Sequence, residues 1–303
     1  MITKYKNKNL TWIDVIAPTR DEALKLMTDY NLNPLIAEEI LIPTTRAKTD
    51  KYDDMLFLVL NFPKFHIGNK NSKEQEVDFI IGKKFLITVH YEVIDPLHQF
   101  SKAFEVNSIL GKKELGPHAG FLFFYLIREF YHHTADQIVE VGNKLKEVEK
   151  SIFDGKETEM VKVLSHVSRE FTKLRQIIHL HEHVLNSFER AGKQFFGESF
   201  SYHLSAIIGE FKKVQNILEN YRGILEELKD TNDSLLSAKT GQIMKKLTAL
   251  NFIMLPITVV VNIFVITHDS WLIQSSSGFF LMFLGLIVLG IIMFLYFKTS
   301  DCL

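Results

Sequence analysis

Two stretches in the last fifth of the chain interrupt an otherwise mixed pattern of apolar and charged positions. Residues 249–267 and residues 278–297 contain no Asp, Glu, Lys or Arg. About 20 apolar residues in a helix, at roughly 1.5 Å per residue, match a bilayer hydrocarbon core about 30 Å thick. The pattern predicts two transmembrane helices, at residues 247–267 and 278–297, joined by an external loop at 268–277. A buried helical hairpin in a soluble protein is the alternative interpretation.

The first 115 residues alternate between strand-like and helix-like patterns. Short runs rich in apolar and β-branched residues indicate strands at LTWIDVI, MLFLVLNF and VDFIIGKKFLITVHY, the last with a hairpin turn at Gly82. Pro18-Thr19 and Asn33-Pro34 mark the beginnings of two amphipathic helices. Residues 1–115 are therefore predicted to form an α/β sheet domain.

From Gly116 onward the spacing of apolar residues is helical. Residues 116–200 predict helical arms, the first ending near Gly155 and the second covering about residues 160–188. Residues 201–246 predict a stalk helix that continues into the first transmembrane segment, roughly 90 Å in all at 1.5 Å per residue. Its apolar positions recur every three or four residues, a coiled-coil-like pattern that needs helical neighbours: Leu204, Ile208, Phe211, Val214, Leu218, Tyr221, Leu225, Leu228 and Leu235.

Basic residues flank the two apolar segments on one side only. Lys245 and Lys246 precede the first segment and Lys298 follows the second, whereas the connecting loop has neither Lys nor Arg. The positive-inside rule then places both ends of the chain in the cytoplasm. The N-terminal residues are basic but lack the apolar run of a signal peptide. We therefore expect a multi-pass protein of the cell membrane, with residues 298–303 as a cytoplasmic tail.

A second periodic series runs beside the apolar face of the stalk and is small or polar. Its members again alternate by three and four positions and so share one helical face: Asp230, Ser234, Ser237, Gly241, Met244, Thr248, Asn251, Leu255, Thr258 and Asn262. We call this series the polar stripe. Because an amide in lipid is costly without hydrogen-bond partners, Asn251 and Asn262 must face protein or water. The stripe is either hydrogen-bonding glue between packed helices or the lining of a water-filled axis built by several copies. Pro256 allows a bend under either interpretation.

Composition excludes several classes of function. The net charge of −1 argues against nucleic acid as a partner. A single cysteine, Cys302, excludes a disulfide framework and a cysteine-based metal knuckle. No glycine-rich nucleotide loop, nucleophile elbow or catalytic triad pattern is present, so we do not expect an enzyme. His179 and His183 lie four residues apart and could share a metal on one helical face, although solvated or packing histidines are the commoner case.

The order of these features resembles the CorA family of magnesium channels along the whole chain. The similar segments are NPLIAEEIL, TTRAKTDKYDDMLFLVLNFP, VDFIIGKKFLITVH, SLLSAKTGQIMKKLT, LPITVVVNIF and MFLYFK. The resemblance implies a funnel-shaped homopentamer with an α/β cytoplasmic domain, a long helical stalk and two C-terminal transmembrane helices. It also implies passive entry of Mg²⁺, with Co²⁺ or Ni²⁺ as further substrates, gated by intracellular Mg²⁺.

The resemblance also assigns roles to residues. Those that would line the pore are Gly241, Met244, Leu247, Thr248, Asn251, Leu255, Thr258 and Asn262. Acidic residues that could bind a regulatory Mg²⁺ are Glu210, Asp230 and Asp233. His268 and Asp269 would lie at the external mouth, where five copies of the carboxylate would concentrate cations.

The family's signature differs at the end of the first transmembrane helix. Its Gly-Met-Asn motif aligns with Val265-Ile266-Thr267 in this sequence. A ring of Asn side chains suits a hydrated Mg²⁺, whereas Thr267 offers hydroxyls of shorter reach. Two alternatives therefore stay open. One is transport of Zn²⁺ or another transition metal; the other is a membrane effector that opens when its cytoplasmic domain binds a signalling ligand.

Overall fold

The chain forms two compact units. The computed structural model describes residues 1–44, 46–64, 73–110, 116–266 and 276–299. The first unit comprises Met1–Asp154 and Glu159–Leu228, and the second comprises Gly155–Thr158 and Lys229–Leu303.

A six-stranded mixed sheet lies at the centre of the first unit. The strands are β1 (Ile2–Asn7), β2 (Leu10–Ile16), β3 (Lys48–Lys51), β4 (Met55–Lys64), β5 (Lys73–Gly82) and β6 (Phe85–His90). Their order in the sheet is β1-β2-β6-β5-β4-β3. The β2–β6 pair is parallel and the other pairs are antiparallel. The long pairing of β4 with β5 sets Asn61 opposite Glu76 and Val59 opposite Asp78, a register that matters for the site described below.

The described part of the chain also contains seven α-helices. They are α1 (Arg20–Tyr30), α2 (Pro34–Glu39), α3 (Asp95–Leu110), α4 (Ala119–Phe153), α5 (Glu157–Phe196), α6 (Ser201–Ile266) and α7 (Ser276–Thr299). The Thr19 hydroxyl and the Glu22 carboxylate form a capping box at the start of α1. Pro34 occupies the first turn of α2, where its missing N–H costs nothing.

Helices cover both faces of the sheet. One face buries Ile13, Val15 and Ile87 against α1 and α2. On the other, the Trp12 ring lies edge-on to Phe100 of α3, with the centroids 5.3 Å apart, and Phe79 meets Phe123 of α4 in the same way at 5.2 Å. A sheet buried on both sides explains why the central strands read as nearly continuous apolar runs.

Most of the expected elements are present, and the differences have physical reasons. The strands at LTWIDVI and MLFLVLNF, the hairpin at Gly82 and the long helices are confirmed. Strands β1 and β3 were not expected, because they are edge strands of sequence ITKYKN and KTDK, rich in the lysine typical of protected edges. Helix α3 was not expected either, and α5 is longer than residues 160–188.

The second unit contains the C-terminal part of α6, helix α7 and the turn between α4 and α5. Lys239 of α6 contacts this turn: its Nζ atom lies 2.9 Å from a carboxylate oxygen of Glu157 and 3.4 Å from the Gly155 carbonyl oxygen. Within the described residues, the helical stretch Glu198–Asn262 contains a segment long and apolar enough to cross a bilayer, and Phe283–Tyr296 is a shorter apolar helix. The segment around residues 249–262 is therefore helical, as expected from the sequence.

Candidate functional site

The residues expected to line a pore all lie on α6 in the second unit. Each of them is exposed in the single chain: Gly241, Met244, Leu247, Thr248, Asn251, Leu255, Thr258 and Asn262. Leu255 is 65% exposed and Met244 is 56% exposed. Large apolar side chains are seldom left this open to water in a soluble monomer, so lipid or another copy of the chain must cover part of this helix.

Helix α7 packs against α6 along one narrow face. The half-buried residues of α6 in this region are Ile253, Pro256, Ile257 and Val260, and those of α7 are Leu286, Leu289, Gly290 and Met293. Both sets follow the three-and-four spacing of a single helical face. A Cβ atom added to Gly290 would lie 3.6 Å from the Ile257 side chain, so the two helices are in contact here.

The polar stripe lies on the side of α6 away from α7. At about 100° per residue, Thr258 and Asn262 lie roughly 160–200° around the helix from Val260, in the middle of the contact face. Asn251 and Leu255 fall on the same far side and are exposed. The stripe therefore cannot be hydrogen-bonding glue between α6 and α7 of one chain. In the single chain, this side of α6 is open.

Local hydrogen bonding shows which polar atoms remain available on this face. The Thr258 hydroxyl donates to the Met254 carbonyl oxygen at 2.8 Å, one helical turn earlier. Its donor is thus used within the helix, while its oxygen can still accept a hydrogen bond. Pro256, inside α6, supplies no N–H at this turn. The polar groups that this part of the stripe presents are consequently the acceptor oxygen of Thr258 and the side-chain amides of Asn251 and Asn262.

The positions of the family signature fall at the end of α6. Val265 and Ile266 are the last described residues of this helix. Thr267, His268 and Asp269, expected at the selectivity motif and the external mouth, lie outside the described residues.

The three acidic residues expected to bind a regulatory ion have different surroundings. Glu210 lies 3.5 Å from the Arg128 guanidinium and 3.6 Å from the His132 ring, so its carboxylate already has partners within the chain. Asp230 and Asp233 are exposed on α6. Within the described residues, no group of three or more His, Cys, Asp or Glu side chains is placed to hold a metal ion.

The histidines of HLHEH have separate environments. His181 is completely buried, with its Nε2 atom 2.7 Å from the Asn61 carbonyl oxygen and its Nδ1 atom 3.0 Å from the Tyr131 hydroxyl. Burial lowers the pKa of His181 to about 4. His179 and His183 are exposed on the other side of α5. The central histidine is thus a neutral packing residue that ties α4 and α5 to β4.

A cavity in the first unit was not foreseen from the sequence. It has a volume of about 240 Å³ and is lined by Pro43, Thr44, Asn61, Glu74, Gln75, Glu76, Tyr91 and Glu92. We call it the acidic cavity. The available signal was the alternation of acidic residues along β5, since Glu74 and Glu76 are two positions apart and so share a face. What the sequence could not show is that Asn61 of β4 and Thr44 lie beside them.

Buried acidic groups stand at the wall of this cavity. The Thr44 backbone N–H donates to Glu76 at 2.8 Å, and the Tyr91 hydroxyl donates to Asp78 at 3.3 Å. Burial raises the pKa of the Glu76 carboxyl, although the hydrogen bonds from Thr44 oppose this shift. Burial and the neighbouring Glu76 charge hold the pKa of Asp78 well above its ordinary range. The region therefore gathers acidic groups whose charged forms are disfavoured by burial unless a cation or a hydrogen-bond donor lies beside them.

Comparison with known proteins finds relatives along nearly the whole chain. The family model described as CorA-like Mg²⁺ transporter protein matches residues 7–299. The chain is 21% identical over 296 residues to the cobalt/magnesium transport protein CorA of Thermotoga maritima, covering 97% of this chain and 83% of that protein.

Solved structures show the same fold. The complete CorA magnesium transporter from Methanocaldococcus jannaschii superimposes with a TM-score of 0.82 at 18% identity, covering 98% of this chain and 93% of that one. The ZntB cytoplasmic domain from Vibrio parahaemolyticus gives a TM-score of 0.56 at 12% identity over 77% of this chain and 90% of that domain. On the strength of the match over residues 7–299, the chain belongs to the CorA-like Mg²⁺ transporter family, whose members are membrane transporters of divalent metal cations rather than enzymes.

Proposed function

We propose that this protein is a homopentameric channel for divalent cations, with Mg²⁺ as its main substrate and α6 as the helix that lines the pore. The observation that carries the proposal is the position of the polar stripe on the side of α6 opposite the contact with α7. Two helices cannot enclose an aqueous path, so the stripe needs several copies of α6 around one axis. Membership of the CorA-like family supports an assembly of five copies.

The remaining surface of these helices suits a bilayer. Outside the stripe, exposed apolar side chains cover α7, among them Phe283, Leu284 and Ile291. In the assembly, these residues face lipid while Asn251, Thr258 and Asn262 face the axis. Lys245 and Lys246 lie just before the apolar segment, so both ends of the chain are in the cytoplasm and residues 268–277 are outside.

The stripe can pass an ion that keeps its water shell. Mg²⁺ gives up its waters reluctantly, and rings of amide and hydroxyl oxygens at Asn262 and Thr258 can accept hydrogen bonds from that shell. Entry is driven by the membrane potential, which favours a divalent ion by about 4.6 kcal/mol per 100 mV, inside negative. The Thermotoga maritima relative is named as a cobalt and magnesium transport protein, which supports Co²⁺, and by chemical similarity Ni²⁺, as further substrates.

Intracellular Mg²⁺ closes the channel in this proposal. Asp230 and Asp233 are exposed near the start of the second unit and are available to a cation shared between copies. Glu210 is the weaker candidate, because Arg128 and His132 lie beside it. Mg²⁺ bound between copies would hold the stalk helices in one symmetric arrangement, and its loss would release them.

The replaced signature keeps two other functions open. With Val265-Ile266-Thr267 in place of Gly-Met-Asn, the outer end of α6 lacks an Asn ring. The same fold could then transport Zn²⁺ or another transition metal, with His268 near the mouth. Alternatively, the protein could be a membrane effector whose pore opens only when the cytoplasmic part binds a signalling ligand.

Ion flux into liposomes separates these three functions. The purified full chain is reconstituted, and uptake of Mg²⁺, Co²⁺, Zn²⁺ and Na⁺ is measured in turn under an inside-negative potential. Uptake of Mg²⁺ that is inhibited by Mg²⁺ on the cytoplasmic side supports the proposal. Uptake of Zn²⁺ alone points to the transition-metal function, and the absence of any flux without an added cytosolic ligand sinks the proposal in favour of the effector.

A further inference from the structure

The acidic cavity is lined by more carboxyl groups than cationic groups among the described residues. Three carboxylates line it, those of Glu74, Glu76 and Glu92. Among the side chains that the structure describes, Glu92 pairs with the Lys64 ammonium at 2.9 Å, and no such ion pair is found for Glu74 or Glu76. None of the described lining residues is a Lys or an Arg. A neighbouring cavity at Glu39 and Asp50 differs in this respect, because Lys48 lies 2.6 Å and 2.8 Å from those two carboxylates.

A buried amide in the wall of the cavity has an unused acceptor. Asn61 is only 6% exposed and lines the cavity, and its Nδ2 atom donates to Glu74 at 3.4 Å. Its Oδ1 atom has no hydrogen-bond partner among the described residues. Buried acceptors are normally paired in folded proteins, so this oxygen indicates a missing donor at the same place as the excess charge. The occupant should therefore be a cation that donates hydrogen bonds.

A directly coordinated metal ion does not fit this arrangement. The described residues contain no group of three or more His, Cys, Asp or Glu side chains placed to hold a metal. The two Glu76 oxygens accept hydrogen bonds from the Thr44 backbone N–H at 2.8 Å and the Thr44 hydroxyl at 3.4 Å, and each oxygen keeps a further lone pair for another donor. A primary ammonium group, by contrast, has three N–H donors and needs only acceptors around it.

The apolar parts of the cavity wall suit an alkyl chain. Pro43 and the ring of Tyr91 contribute apolar wall. Glu74 and Glu76 are two residues apart on β5, which places them roughly 7 Å apart along the strand. The two nitrogens of 1,4-diaminobutane, separated by five bonds of about 1.5 Å, reach about 6 Å when extended. The Lys64 side chain on Glu92 already shows an alkylammonium bound to one of these carboxylates.

We propose that the acidic cavity binds a primary alkylammonium compound of the short-diamine or polyamine class, with its nitrogens held by Glu74, Glu76 and the Asn61 amide oxygen. The ligand takes the place of the absent donor and neutralises the paired carboxylates. This site lies in the first unit, and its occupancy does not depend on whether α6 conducts ions.

Calorimetric titration of the purified full chain in detergent tests the proposal. The probe is 1,4-diaminobutane, and tetramethylammonium is the control cation, since it has the charge but no N–H donor. We expect the diamine to bind and tetramethylammonium not to bind. Glu74→Gln and Glu76→Gln should each weaken diamine binding at least about tenfold, the change expected when one charged hydrogen bond worth about 1.4 kcal/mol is lost.

Matched variants keep the test decisive. Glu105→Gln removes an exposed carboxylate of α3 outside the cavity and should leave diamine binding unchanged. Glu74 is exposed, so Glu74→Gln remains informative even if Glu76→Gln folds poorly. Equal binding of tetramethylammonium, unchanged affinity in Glu74→Gln, or complete displacement of the diamine by Mg²⁺ would each overturn the proposal. Displacement by Mg²⁺ would make the cavity a metal site instead.

Discussion

The paired acids of β5 show how folding can place a charge where it costs stability. Asp78 is 1% exposed, accepts a hydrogen bond from the Tyr91 hydroxyl and lies beside the Glu76 carboxyl. An acid whose pKa is raised by folding stabilises the fold only while protonated. Its contribution is complete below the ordinary pKa of 3.8 and is lost as the pH rises through the higher folded value.

Replacing Asp78 with Asn should therefore stabilise the first unit at neutral pH. The amide oxygen can still accept from Tyr91, and the new N–H can donate to Glu76. We expect Asp78→Asn to raise the free energy of unfolding by about 1 kcal/mol at pH 7.5 and to change it little at pH 4. Thermal unfolding of the full chain in detergent measures this, with exposed Asp53→Asn as the control. A lower midpoint for Asp78→Asn at neutral pH would contradict this explanation.

His181 is a second residue whose protonation is tied to the fold. Its two contacts fit the neutral ring, with Nε2–H donating to the Asn61 carbonyl and Nδ1 accepting from Tyr131. The pKa of the ring falls from 6.5 to about 4 on burial. A base with a lowered folded pKa contributes stability that is complete above pH 6.5 and is lost as the pH falls toward 4.

The His181→Leu variant should be destabilised by about 2–3 kcal/mol, because the Tyr131 hydroxyl and the Asn61 carbonyl would be buried without partners. The exposed His179→Leu change, two positions earlier on the opposite side of α5, should stay within about 0.5 kcal/mol of the parent protein. Unfolding midpoints of the three proteins at pH 7.5 make the comparison. Equal loss in both variants would show that His181 has no special packing role.

At the scale of elements, α6 combines two faces with different tasks. One contacts α7 through Ile257 and Gly290, and the other carries the polar stripe. This division makes a specific prediction about access from water. Asn262→Cys, in a Cys302→Ser background, should react with a charged thiol reagent and lose most of its ion flux. Val261→Cys, which is exposed on another side of α6, should react slowly and keep its flux. Reversed reactivities would place the aqueous path on a different face.

The sequence predicted long helices well because their apolar positions repeat over many turns. Helix α6 is of this kind. Short edge strands such as β3, with the sequence KTDK, bury little and leave almost no pattern. The acidic cavity was out of reach for another reason. Its alternating carboxylates are visible in β5, but their meaning depends on Asn61 and Thr44, which only the sheet register and the tertiary fold bring beside them.

At the scale of the whole molecule, a single chain leaves surfaces exposed that need other copies of the chain or lipid to cover them. It exposes apolar side chains on α7 and a polar stripe on α6, and neither surface is stable alone in water or in lipid. We expect the native mass in lipid nanodiscs to correspond to five chains of 35.1 kDa. Asn262→Leu should leave that mass unchanged, since the stripe is proposed to line the axis rather than to hold the copies together. A monomer or dimer would contradict the assembly.

The most direct test of the central claim is Mg²⁺ uptake by liposomes that contain the parent protein, Asn262→Leu or Val261→Leu, all under an inside-negative potential. If the polar stripe of α6 lines the path, the parent protein and Val261→Leu take up Mg²⁺ at similar rates. The Asn262→Leu variant still assembles, but its uptake rate is at least about tenfold lower. Full uptake by Asn262→Leu would show that the stripe only packs helices together and that the pore assignment is wrong.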